Sequence, residues 1–483
     1  MGMTPELRET IARLVGPRGC VSEAADMAPF LREERGLYQG VAAMVVLPAT
    51  TAEVAGVVAL CAAAGVAMVP QGGNTGLVGG GVPSRHGDEI VISTRRLNRI
   101  RAIDPIDGTM TVEAGCILAD VQEAAAAAGC LFPLNFASAG SCQIGGALST
   151  NAGGLNVLHY GTARALVLGL EVVLPDGQVW DGLRALPKDN TGYALKHLFL
   201  GAEGTLGILT AAVLKLFPRP LEVQTALCAV NRLEEIPELL FRARAITGDS
   251  VTAFELMPRL GIEFCCRHIP GVRDPFGRAY PWYVLIEVSS SRPGDGLREG
   301  LESLLTAALE AEQVADAVIA ESLTQAAALW RIREGLPEAQ KHEGGSIKHD
   351  VSVPVSRVPA FLDRATRVVE SAMSGVRVCA FGHVGDGNVH FNVSQPVGMD
   401  KTLFLAEWPR ISRLVHDIVV ELGGSISAEH GIGRLKREEL VRTRSPLELR
   451  LMRDIKRTLD PRGLMNPGKV LTMENDGGPG FGL

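Results

Sequence analysis

The sequence predicts an α+β chain in two domains, and three observations carry that reading. Glycine-rich turns are dense up to FPRP (residues 217–220), and longer helical patterns with strands between them follow. A strand–helix–strand pattern near the start runs straight into a glycine loop. At 483 residues the chain exceeds what one ordinary core organises. With 46% apolar and 21% charged residues it reads as a soluble globular protein. A net charge of −7 gives no reason to expect nucleic acid.

In chain order, residues 44–47 form a short apolar run ending at Pro48. Thr50 or Thr51 can cap a helix that runs through Ala64 and stops at Gly65. Residues 66–69 are a second apolar run, so the unit reads as βαβ with glycine at its C-terminal end. Residues 90–93 and 110–112 are further strands, and 117–128 is a helix stopped by Gly129. Residues 168–174 and 178–180 flank Pro175-Asp176-Gly177, which reads as a hairpin. Beyond 220, helices are expected over 232–247, 294–309, 323–342, 356–374 and 402–422. Strands are expected over 282–288, 347–353 and 377–381.

Nine cysteines are scattered without a C-x-x-C pair, and an odd count cannot pair fully. Buried reduced thiols are expected. The opening MGMTPELRETIARLVG has no cationic stretch followed by an apolar core. A cytoplasmic protein is expected, or a mitochondrial matrix protein without its transit peptide. No apolar run approaches a membrane span. The tail NDGGPGFGL reads as disordered.

The loop PQGGNTGLVGGGVP (residues 70–83) places six glycines in ten residues. Glycine lets backbone N–H groups approach a ligand, and successive N–H groups form an anion nest suited to pyrophosphate. The pattern is neither G-x-G-x-x-G nor G-x-x-x-x-G-K-[ST]. A second cluster, GSCQIGGALSTNAGGLNVLHYGT (140–162), sets small polar residues between glycine pairs, which suits a planar ligand with polar edges. A third, KDNTGYALKHLFLGAEGTLGILT (188–210), makes three such segments in one domain.

Downstream, FGHVGDGNVHFN (381–392) sets His383 and His390 on either side of a glycine-rich turn. Two imidazoles brought together by a turn make half a metal site. Glu429, in GSISAEHGIG (424–433), could complete a His-His-carboxylate set for Zn, Mn or Co. The alternative is a hydrogen-bonded pair of structural histidines. An unperturbed imidazole titrates near neutrality, which suits His430 to a general base, against the plainer reading of a structural histidine. Asn392 shares the strand face of His390. WRIREGLPEAQK (330–341) is a helix carrying Arg333, and SIKHDVSV (346–353) is a strand with Lys348, Asp350 and Ser352 on one face. On their own, Arg333 and Lys348 read as solvated charge.

The glycine clusters at 70–83, 140–161 and 201–208, in that order, resemble the flavin-binding domain of the vanillyl-alcohol oxidase and p-cresol methylhydroxylase (PCMH) superfamily. The downstream pieces resemble its FAD-linked D-2-hydroxyacid dehydrogenases, the branch holding D-2-hydroxyglutarate and D-lactate dehydrogenases. The resemblance spans about residues 48 to 469. It implies a two-domain α+β flavoprotein: an FAD-binding PCMH-type domain over 1–220, a substrate-binding cap over 221–420, a helical segment over 421–475 returning to the first domain, and a tail over 476–483.

The resemblance also implies noncovalent FAD, since the first loop has no His or Tyr attachment residue. The pyrophosphate would lie on Gly72, Gly73, Asn74, Thr75, Gly76 and Leu77. The isoalloxazine would lie near Gly140, Ser141, Gly145, Gly146, Thr150, Asn151, Gly153 and Gly154. Gln71, Ser138, Tyr160, Gly161, Glu203, Gly207, Ile208 and Asn466 would complete the cofactor contacts. Arg333, Lys348 and Asn392 would bind substrate, and zinc, with manganese or cobalt as substitutes, would sit on His383, His390 and Glu429. His430 would remove the hydroxyl proton as hydride passes to flavin N5.

Two cations and a metal favour a dianionic substrate. One position departs: some D-2-hydroxyglutarate enzymes carry Thr where this chain has Pro337, which leaves D-malate and D-lactate open. A metallohydrolase would leave the glycine clusters idle, and a noncatalytic flavin-binding subunit would leave Arg333, Lys348 and His430 idle. The electron acceptor could be an electron-transfer flavoprotein, a quinone or a cytochrome. A homodimer is the base-rate expectation.

Overall fold

The computed structural model describes residues 3–473, so the expected terminal tail lies outside the described residues. The chain forms two compact units. The first comprises Met1–Gly153, Gly161–Arg219 and Glu429–Leu483, and the second Gly154–Tyr160 and Pro220–Ala428.

In the first unit, Thr50 caps the helix Thr51–Ala64 by accepting from the Glu53 N–H, and Gly65 ends it at φ +71°. The strands Met44–Val46 and Met68–Gln71 flank that helix in sequence but do not pair with each other. Both run parallel to Ile90–Ser93, which lies between them. The βαβ unit is thus opened by a later strand, and the second apolar run is extended two residues downstream of its expected start. Cys20–Val21 completes this sheet on the Met44–Val46 edge. A five-stranded antiparallel sheet follows in the order Ile100–Asp104, Thr109–Glu113, Ile208–Lys215, Val167–Val173, Val179–Gly182. The last two strands are the expected hairpin.

The C-terminal segment finishes this unit. Met465 bridges beside Met68, and the Asn466 N–H donates to the Met68 carbonyl at 2.7 Å. The buried Lys456 ammonium donates to the carbonyls of Thr205 and Met465 and pairs with Asp460. A buried ammonium is tolerable only with such partners.

The second unit holds two antiparallel sheets. One runs Val251–Pro258, Trp282–Ser290, Glu222–Val230, Asp316–Ile319, and the other Ser346–Ser352, Asn388–Ser394, Arg377–Phe381. They are stitched by one isolated bridge, in which Leu256 and Gly382 exchange both backbone hydrogen bonds, at 2.9 and 3.1 Å. The Leu323–Lys341 helix is present and contains Pro337. The helix expected over 402–422 is two, Lys401–Ala406 and Trp408–Glu421, with Pro409 in the first turn of the second. The strands Glu222–Val230, Val251–Pro258 and Ile208–Lys215 have no counterpart in the sequence-level reading. They are apolar on both faces and partly alanine-rich, so they lack the alternation that announces a strand.

All nine cysteines are free thiols; seven are buried, Cys20 is half-buried and Cys266 exposed. No helix among the described residues is long and apolar enough to cross a membrane.

Candidate active site

In the first unit the first two glycine clusters close on each other. A Cβ on Gly73 would stand 2.2 Å from the Ser141 carbonyl oxygen, and one on Gly72 would stand 3.4 Å from Gly146. Only glycine permits this approach. A Cβ on Gly76 or Gly140 would meet nothing within 4 Å, so there the loops border open space. Across Gly72–Leu77, no backbone N–H donates to a protein acceptor among the described residues. A run of unpaired donors beside open space is the chemistry that holds a pyrophosphate, so these residues fit FAD.

Several expected cofactor residues have structural partners. Gln71 Nε2 donates to the carbonyls of Phe30 and Gly81 and ties the two ends of the loop. Asn74, at φ +57°, donates to the Pro29 and Arg32 carbonyls. Ser141 and Thr150 close local turns through Ser138 and Gly146, and Asn151 accepts from the Arg164 N–H. Gly145 and Gly207 are packed so closely that a Cβ would lie 2.7 Å from Ala114 and 2.8 Å from Val172. Ile208 opens a buried strand, and Gly161 turns at φ +82°. Gly154 and Tyr160 belong to the second unit, and Gly153 ends the first segment of the first.

Glu203 has a defined role in the protein itself. Its two carboxylate oxygens accept from the N–H groups of Ile432 and Gly433, at 2.7 and 2.8 Å. Burial pushes its pKa up to about 7, against the pull of those donors and of Lys436. Asn466 Nδ2 donates to the Glu203 and Gly80 carbonyls. The Val78 carbonyl accepts from the N–H groups of Arg434 and Leu435. The glycine loop and the segment after His430 are therefore one hydrogen-bonded assembly within the first unit.

In the second unit, the turn after Phe381 is closed by N–H groups of Asp386 and Asn388 donating to the His383 carbonyl. It brings His383 and His390 edge to face, ring centroids 5.4 Å apart. Register then orders the neighbours: Lys348 lies opposite Asn392, Asp350 opposite His390, and Phe381 opposite His390 on the other side. Side chains at directly opposed positions share a face. Asp350 is buried, lies 3.9 Å from His390 Nδ1 and accepts from Asn388 Nδ2. Asn392 Nδ2 donates to Gln340 Oε1 at 2.9 Å.

The group that organises this face is one the sequence reading missed. Glu255, only 1% exposed, accepts from His383 Nδ1 at 2.7 Å through one oxygen and from Arg333 Nε at 2.7 Å through the other. Burial acts to raise its pKa, but His383 and Arg333 outweigh it and hold the carboxyl at about 2. The Arg333 guanidinium lies over the Phe381 ring, 4.9 Å from its centroid. The Leu256–Gly382 bridge explains the placement, because it sets residue 255 beside residue 383 across 128 positions of chain. The available signal was a lone acid inside the apolar run VTAFELMP.

Glu429 follows Ala428, whose N–H donates to the Asp350 carbonyl. His383 and His390 belong to the second unit, and Glu429 and His430 open the last segment of the first. Two imidazoles and a carboxylate, the donor set expected from the sequence, suit a divalent cation of the zinc or manganese kind.

A loop of unpaired amides built for a dinucleotide, in a chain with a separate polar cluster, defines an FAD-binding oxidoreductase. Residues 42–182 match the model of an FAD binding domain, and residues 219–470 match that of the FAD linked oxidases, C-terminal domain. The chain belongs to the FAD linked oxidase family. It is 40% identical over 435 residues, 90% of this chain and 76% of the relative, to the mitochondrial D-2-hydroxyglutarate dehydrogenase of Arabidopsis thaliana. It is 38% identical to the D-2-hydroxyglutarate dehydrogenase of Xanthomonas citri pv. viticola, over 93% of each chain. The solved structure of p-cresol methylhydroxylase with substrate bound superposes with a TM-score of 0.74 over 98% of this chain and 97% of that one, at 17% identity. The two-domain flavoprotein fold expected from the sequence is the fold observed.

Proposed function

We propose that this chain is an FAD-dependent dehydrogenase that oxidises a D-2-hydroxy acid, D-2-hydroxyglutarate foremost, to the 2-oxo acid. The observation that carries the reading is the polar face of the second unit. There Arg333, Lys348 and Asn392 surround a histidine pair, and a guanidinium fork and an ammonium suit a substrate with two carboxylates. The names of the Arabidopsis and Xanthomonas relatives support the same substrate.

Residues 72–77 and the 140–154 cluster would hold FAD noncovalently, which would supply the two-electron acceptor for the hydrogen leaving Cα. His383, His390 and Glu429 would hold a divalent cation, zinc foremost, whose charge would lower the pKa of the substrate hydroxyl. His383 offers Nε2 to it, because Nδ1 is engaged by Glu255. His430 takes the hydroxyl proton, imidazole being the side chain most used as a general base. Arg333 and Lys348 hold the carboxylates. Asn392, whose Nδ2 is engaged by Gln340, meets the substrate through Oδ1. Pro337 has no N–H to give the Arg333 carbonyl four residues earlier, so that turn of the helix lacks one bond at the substrate-binding arginine.

The test is anaerobic flavin bleaching with a panel of D- and L-2-hydroxy acids, before and after chelation. Fast bleaching by D-2-hydroxyglutarate, abolished by chelator and restored by zinc, is expected. Preference for D-lactate or D-malate would move the substrate and keep the reaction. Bleaching that survives metal removal would remove the cation from the reading. A flavin that no 2-hydroxy acid bleaches would sink it.

A further inference from the structure

We propose that Glu255 is a positioning residue that couples substrate binding to metal binding. One buried carboxylate holds the substrate-binding arginine with one oxygen and the metal-binding histidine with the other. The proposal rests on the reading of Arg333 and His383 given above and adds a dependence between them.

The geometry carries it. Both contacts are 2.7 Å, and the three residues are nearly solvent-free, with Arg333 5%, Glu255 1% and His383 7% exposed. A carboxylate accepting from Nδ1 fixes the imidazole tautomer with Nε2 as the ligating nitrogen and makes that nitrogen more basic. Partners of this kind are worth tenfold to a hundredfold in metal affinity. The same carboxylate holds Arg333 by Nε alone, so the guanidinium keeps both terminal nitrogens for a planar oxyanion. Phe381 supports the arrangement from below. Its ring lies 4.9 Å from the Arg333 guanidinium and 5.3 Å from the His390 ring.

Glu255 itself cannot drift, since the adjacent Leu256 is locked to Gly382 by two backbone bonds. A Cβ at Gly382 would fall 2.8 Å from the Asn388 carbonyl oxygen, so the turn tolerates no side chain there. Losing the arginine contact and losing the metal contact should therefore not be independent events.

The experiment uses the flavin-loaded protein. Zinc affinity is read by competition with a chromophoric chelator, KM and kcat are read for D-2-hydroxyglutarate, and the melting temperature is recorded alongside. E255Q is expected to weaken zinc binding about 10- to 100-fold, and to raise KM about 10-fold or more while lowering kcat less. Because E255Q leaves the Arg333 charge buried and can fail to fold, the second comparison is R333M against E255L/R333M, which removes both charges together. The double variant should bind zinc about 10- to 100-fold more weakly than R333M. Zinc affinities for R333M and E255L/R333M within twofold of each other, with H383A still abolishing zinc binding, would overturn the coupling and leave the metal site standing. Zinc binding that H383A leaves unchanged would overturn the metal site, and the coupling with it.

Discussion

The two glycine-rich turns at the heart of this protein are built on opposite principles. The loop Gly72–Leu77 presents backbone: its N–H groups donate to no protein acceptor among the described residues, and the Asn74 side chain ties it to the Pro29 and Arg32 carbonyls. The turn after Phe381 presents side chains, and its N–H groups from Val384 to Asn388 donate to carbonyls of Gly382, Phe254, His383 and Val384. A ligand held by backbone amides needs glycine and little else. A ligand held by imidazoles needs partners that fix ring orientation, and these come from distant chain. Damage at the first turn should act through shape, and damage at the second through charge.

The sharpest way to break this comparison is a crossed pair. G73A forces a Cβ onto the Ser141 carbonyl and should abolish flavin content, read as the blue-region absorbance per protein, while zinc content stays near one per chain. H383A should do the reverse, removing zinc, keeping flavin, and lowering kcat on the order of 1000-fold. If both variants lose both groups, the two turns are not separable. Next in size, H430N should lower kcat on the order of 100- to 10,000-fold with flavin and zinc retained. Smaller again, K348M should raise KM for D-2-hydroxyglutarate about 10- to 100-fold, and by much less for D-lactate, which has no second carboxylate.

The smallest effect concerns Glu203. Its folded pKa is raised by burial to about 7, so between the unfolded value near 4.5 and about 7 the unfolded chain releases a proton the folded chain keeps. Stability then falls as pH rises through that window and levels off above it. The unfolding midpoint of the native protein should fall relative to that of E203Q from pH 4.5 to 7, and the two should run parallel above 7. Parallel curves throughout would mean that Glu203 titrates like an exposed acid.

What the sequence made legible follows the same division. Glycine spacing announced the backbone-built loop, because glycine is itself what lets Gly73 approach the Ser141 carbonyl. The Thr51–Ala64 helix was readable because its cap, Thr50, and its stop, Gly65, are local. His383, His390 and Glu429 were singled out by residue type. Glu255 was not, because nothing within its own strand shows that Gly382 pairs with Leu256. The hold of the Glu203 oxygens on Ile432 and Gly433, more than two hundred residues away, was not legible either. The strand Ile90–Ser93 was found, but not its insertion between the two strands of the βαβ unit, since order within a sheet is not written in periodicity.

The attachment of Asn466 to Gly80, and of residues 434 and 435 to Val78, has a consequence for how the protein is made. The glycine loop leaves the ribosome well before the residues that brace it, which follow up to 386 positions later. At about 5–20 residues per second, the loop waits on the order of 20 to 80 seconds for its final supports. Full bracing of the loop therefore waits until residue 466 has been made. A polypeptide truncated by premature termination before residue 466 would emerge with its glycine-loop amides in place by sequence, yet unbraced.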